Sequence, residues 1–147
     1  MSRRIAAAIL GGADGITSIS GVVAGGAAAH IGHDALGRTV LAGALAAAES
    51  MAGGELLSET RTDWGAVGSM GIGTLVGSGL PALPLFLGGV TSAGIPLLLL
   101  LAIAGAAVVI IGLVRARVTH RSKSKSILQT LGVLLLGAAI GFVAGKV

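Results

Sequence analysis

Apolar residues dominate five stretches of the chain, 5–29, 39–58, 64–88, 93–114 and 127–147. Each approaches the roughly 20 residues an α-helix needs to cross a hydrocarbon layer. The pattern predicts an all-α integral membrane protein with a single domain, five transmembrane helices and short connections. Polar positions inside the stretches are few and ordered. In the first, Ala7, Gly11, Asp14, Ser18, Gly21, Gly25 and Ala28 follow steps of four and three, so they fall on one helix face made only of small or polar side chains. In the second, Ala44, Ala48, Met51, Glu55 and Ser58 share a face, while Glu49 lies about 160° from Met51 around the axis. These groups meet one cavity only if Gly53 and Gly54 distort the helix; otherwise Glu49 serves a separate contact, such as a partner helix.

The remaining stretches read as scaffold. Gly68, Gly71, Gly73, Gly77 and Gly79 make the third a packing-rich helix, and Pro81 and Pro84 are expected to kink or break its outer end. Thr91 and Ser92 are candidate caps for the fourth, with Pro96 in its first turn, and no polar side chain occurs from Leu97 to Val114. Gly137, Gly141 and Gly145 form two successive GxxxG steps in the fifth, which is expected to pack closely on another helix, of this chain or of a second subunit.

Composition agrees with this reading. Hydrophobic residues make up 54% of the chain and charged residues 11%, too little polar surface to cover a soluble globule. Charge sorts by connection: Arg3, Arg4, Arg61, Arg115, Arg117, Arg121, Lys123 and Lys125 fall on one side, Arg38 and Lys146 on the other. The positive-inside rule then places the N-terminus in the cytoplasm and, with five spans, the C-terminus outside. The basic link 115–126 is read as a topology signal that also suits anionic lipid headgroups. Its charges are not interleaved with aromatics as nucleic-acid binding requires. A cleaved leader is not expected, because Asp14 and the glycines before it interrupt the first apolar run.

Candidate chemistry follows from what is absent as well as present. The chain has no cysteine, so any metal site must use oxygen, imidazole or thioether donors. No coherent arrangement of nucleophile and base and no cofactor motif is present, which argues against an enzyme. A carboxylate near the middle of a membrane is expensive without a partner or a purpose. Asp14 in the first span and Glu49, Met51 and Glu55 in the second are therefore the candidate metal-contacting residues, with Asp14, Glu49 and Met51 at similar depth and Glu55 nearer the cytoplasm. The Asp14 stripe is read as the wall of a pathway rather than a plain helix seam. His30, His33 and Asp34 bring imidazoles and a carboxylate close together, but at a spacing that matches no established zinc pattern.

Asp14-Gly15-Ile16-Thr17-Ser18 with Val23-Ala24-Gly25, Ser50-Met51, Gly54-Glu55 with Ser58, Gly77-Ser78-Gly79-Leu80-Pro81-Ala82-Leu83-Pro84 and Gly145-Lys146, in that order, resemble the vacuolar iron transporter family. The resemblance covers nearly the whole chain. It implies a five-span homodimer that exports ferrous iron or manganese from the cytosol in exchange for protons, along a path at the subunit interface. It also implies metal contacts at Asp14 and Met51, and it aligns Glu55 with the glutamate of a Gly-Glu-Tyr motif. This chain departs from the pattern in four places. The link 59–63 replaces a cytoplasmic glutamate-rich domain, Leu56 and Phe142 stand where tyrosines are usual, and Gly43 occupies the position of a further glutamate, so Glu49 inherits no role. A carboxylate and a thioether together favour transition metals over calcium or magnesium. The transported ion is Fe²⁺ or Mn²⁺ on this reading, and a prokaryotic cytoplasmic membrane fits the small size. The competing reading is a non-transporting oligomeric membrane module that binds a partner subunit.

Overall fold

Helix α1 (Arg3–Ala28) is the element against which the other three long described helices pack. In the computed structural model, which describes residues 2–58, 62–88, 105–106, 109–117 and 122–147, it is followed by α2 (His33–Leu57), α3 (Trp64–Gly88), a helical segment α4 (109–117) and α5 (Lys123–Ala144). Every described element is helical. Four of these helices, α1, α2, α3 and α5, are long and apolar enough to cross a membrane. The fourth apolar stretch, 93–114, lies for the most part outside the described residues, as do Thr91, Ser92 and Pro96.

Glycine decides how closely the helices approach. A methyl group added at Gly11 would strike the Met70 carbonyl, and one at Gly15 the Thr74 carbonyl; from the other side, Gly73 and Gly77 lie directly on the backbone of Ala8 and Gly12. On the next turns of α1, Gly21 and Gly25 meet Gly137 and Gly141, and Gly141 and Gly145 lie on the backbone of Gly21 and Gly25 in return. Residue numbers rise together along both seams, so α3 and α5 run parallel to α1. Helix α2 runs the opposite way: Leu36 fills the space at Gly26, Gly43 faces Ile19, and Ala48 and Ala52 lie by Gly71. Close backbone contact of this kind maximises dispersion where hydrocarbon surroundings remove the hydrophobic drive.

Among the described residues the helices bury three small cores. Ile19, Val23, Leu36, Val40, Ala44, Ala82 and Leu85 form the largest. The i, i+4 spacing of Leu36, Val40, Ala44 and Ala48 explains why α2 contributes a single narrow stripe. Large apolar residues outside the stripes stay exposed, among them Leu41, Leu45, Ile72, Val76, Leu136 and Ile140.

Of the kink or break expected at the prolines, the break does not occur. Helix α3 is not broken at Pro81 or Pro84 and continues to Gly88. Proline at 81 deprives the Gly77 carbonyl of its donor, yet Pro81 is fully buried and the flanking Ala82 and Leu85 are anchored in the core. Packing therefore outweighs the missing bond. The Leu85 carbonyl, one of the last four in the helix, takes a hydrogen bond from His33 Nε2 at 2.6 Å.

Helix ends are set by local chemistry. At the end of α1, Ile31 N–H donates to the Gly26 carbonyl and His30 N–H to Ala27, with His30 at φ 57°. This is a Schellman turn with histidine at the left-handed position that glycine usually takes. At the start of α3, Asp63 Oδ1 accepts the Gly65 and Ala66 amides at 2.9 and 3.3 Å, the pattern of an N-cap.

Candidate functional site

An open groove of about 450 Å³ lies along α1, lined by Ala6, Ile9, Leu10, Ala13, Asp14 and Thr17 of that helix, Met51 of α2, Arg115 of α4, and Thr130 and Val133 of α5. It exists because α2 and α5 both pack on α1 but not on each other among the described residues. The fold thus brings together two of the four sequence-predicted residues, Asp14 and Met51, which are 37 positions apart in the chain.

Helix geometry accounts for their placement. Asp14 and Thr17 are one turn apart, on a strip of α1 adjacent to the Gly11 and Gly15 strip that is spent on α3. Met51 follows the buried Ala44 and Ala48 on α2 and is half-buried against Ala7, Ala66 and Met70. The two threonines have little donor capacity left for a ligand. Thr17 Oγ1 donates to the Ala13 carbonyl and Thr130 Oγ1 to the Ser126 carbonyl, each at 2.9 Å within its own helix. Each hydroxyl offers lone pairs only. Asp14, Met51, Thr17 and Thr130 therefore form an acceptor set, the chemistry a cation requires, and Arg115 is the one cationic side chain among the described residues of the lining.

The other two candidates lie elsewhere. Glu55, one turn beyond Met51, does not line the groove. Its Oε1 accepts hydrogen bonds from Arg3 Nε and Nη2 at 3.1 and 2.8 Å, and its side chain is 14% exposed. Glu49 is exposed on another face of α2, which stays helical through Gly53 and Gly54. Of the two alternatives open for Glu49, the helix distortion is not seen. The Asp14 stripe also divides: Gly11, Gly21 and Gly25 form seams with α3 and α5, Ala7 joins a core, and Asp14 opens onto the groove.

The histidine cluster has structural work instead. His30 makes the Schellman turn, and His33 binds the end of α3 with Nε2 while its Nδ1 lies 3.5 Å from Asp34 Oδ1. No group of three His, Asp or Glu side chains positioned for a metal occurs among the described residues.

At the end of the bundle that carries the N-terminus, Arg4 Nη2 lies 3.5 Å from Asp63 Oδ1. Desolvation alone would push the Asp63 carboxyl up; the Ala66 and Gly65 amides and the Arg4 guanidinium together outweigh it and hold the group below the ordinary carboxylate value.

Sequence reasoning missed Arg3 as the partner of Glu55 and Arg115 as a wall of the groove. Both were counted only as topology signals. Arg3 and Glu55 lie at the same end of neighbouring antiparallel helices, and their opposite charge at matching positions was a legible signal. Nothing in the spacing of Arg115 pointed at Asp14.

Fold and groove define an all-helical chain, compatible with a multi-pass membrane protein, that carries a carboxylate and thioether groove on its central helix. The chain matches no family model, no curated protein and no solved structure.

Proposed function

We propose that the protein is a divalent transition-metal transporter of the lipid bilayer that moves Fe²⁺ or Mn²⁺ out of the cytosol in exchange for protons. The observation that carries this reading is the convergence of Asp14 and Met51, from two helices, in a groove whose threonine hydroxyls are available only as acceptors. An ionised oxygen with a soft sulfur suits a first-row metal that must bind and then leave. One protomer offers too few donors for a closed coordination shell. In the proposed homodimer, the grooves of two five-span subunits face each other, so Asp14 and Met51 are each supplied twice about a two-fold axis. The N-terminus is cytoplasmic and the C-terminus outside, in a prokaryotic cytoplasmic membrane. Glu55, held by Arg3, meets the ion at the cytoplasmic entrance once that ion pair opens; Glu49 belongs to a separate contact.

The alternative, a non-transporting module that binds a partner subunit, drew support from the glycines of the last helix. Gly137, Gly141 and Gly145 are used against Thr17, Gly21 and Gly25 of the same chain, so the glycines no longer favour it, while the short link 59–63 and Leu56 and Phe142 in place of tyrosines still do. The test is flux in proteoliposomes. Wild-type protein is expected to carry Mn²⁺ or Fe²⁺ with opposing proton movement, and Asp14→Asn and Met51→Ala to reduce the rate by roughly tenfold or more, the scale of losing one charged or soft ligand. Absence of metal flux from wild-type protein under every proton gradient would reject the proposal.

A further inference from the structure

Arg115 sits in the wrong place for a topology signal alone. It belongs to α4, yet it lines the groove that holds Asp14. Among the described residues, Asp14 and Arg115 are the only charged side chains in that lining. Of the other described charged groups, Glu55 pairs with Arg3, Arg4 lies by Asp63, Glu49, Arg117, Lys123 and Lys125 are exposed, and α3 contributes no charged residue from Trp64 to Gly88.

We propose that Arg115 is the resident cation of the Asp14 groove, which an entering divalent ion must displace. The inference rests on the transport reading and adds to it the regulation of the same site. A carboxylate opening into a low-dielectric groove is costly when alone, and a guanidinium sharing the space offsets that cost while no metal is present. An arriving ion brings two positive charges against a fixed one, and the repulsion is strong at low dielectric. Arg115 is partnered in the structure rather than free, so its displacement is an exchange of partners. Its long aliphatic stem lets the charged head swing toward the end of α4 without movement of the helix. The same charge, returning, lowers the affinity of the groove and promotes release.

Two measurements on the full chain in nanodiscs decide the matter. The first is metal-free: thermal unfolding of Asp14→Asn, Arg115→Gln and the double variant. Each single substitution leaves one charge unbalanced and is expected to lower Tm, and the double variant, having neither charge, is expected to recover at least half the loss. The second is Mn²⁺ binding. Arg115→Gln is expected to bind about tenfold more tightly than wild type and to release the ion more slowly, whereas Arg115→Lys, which keeps the charge, stays near the wild-type value. Additive Tm changes, or an Arg115→Gln affinity equal to or weaker than wild type in a protein that does carry metal, would overturn the assignment and leave the transport reading standing. Coupled Tm changes in a protein that binds no Mn²⁺ would uphold the charge pairing and remove the transport reading.

Discussion

Asp63 shows how much one side chain does at the end of a span. It caps α3 through two amides, meets Arg4 across the gap to α1, and is held below the ordinary carboxylate value as a result. A carboxyl with a lowered folded-state value contributes stability that is full above the unfolded value and is lost as pH falls through the folded one. Asp63→Ala is therefore expected to lower Tm by roughly 3 °C at neutral pH, the scale of a lost N-cap. The difference from wild type is expected to shrink only at pH values below about 3.8, the ordinary value, and thermal unfolding across pH checks both. At this scale the sequence was legible where a residue is costly in any fold. Asp14 and Met51 stood out because membrane burial penalises or specialises them. His30 and His33 did not declare their roles, since a left-handed turn and a carbonyl contact with Leu85, 52 positions away, depend on where α3 ends.

Among elements, the glycine seams explain why α1 is central and why α5 is not a free face. Gly141 lies on the Gly21 carbonyl, and Gly145 on that of Gly25. Gly141→Leu is accordingly expected to push α5 off α1 and cost about 1–3 kcal/mol or more of subunit stability, the range for overpacking. Thermal unfolding in detergent should detect the loss in dilute protein as readily as in concentrated protein, because the seam is within one chain. The hydrophobic pattern located all four long described helices to within a few residues, except that α2 begins at His33 rather than Thr39. The break allowed for at Pro81 and Pro84 does not occur, because the local rule for proline lost to burial of Pro81, Ala82 and Leu85. Which helix received each glycine row was not legible, because a GxxxG step names a surface and not its partner.

For the whole molecule, the consequential feature is a groove that neither α2 nor α5 closes, with a carboxylate in it. Its existence follows from the pairing of three helices, α2, α3 and α5, with α1, which no single stretch of sequence contains. Its chemistry was half legible: Asp14 and Met51 were readable as candidates, while Arg115, Thr17 and Thr130 joined them only through the fold. Glu55 was drawn away to Arg3, a change that turns an expected ligand of the central site into half of an ion pair at the end of the bundle.

The central claim is that a transition metal occupies this groove. Crystals of the full chain soaked in Mn²⁺ and measured near the manganese absorption edge test it most directly. The expected result is an anomalous peak within coordination distance, about 2.0–2.6 Å for oxygen donors, of the Asp14 carboxylate and beside the Met51 sulfur, absent from Asp14→Asn crystals. A strong peak at Glu49 or at the His33 and Asp34 pair, with none at Asp14, would contradict it.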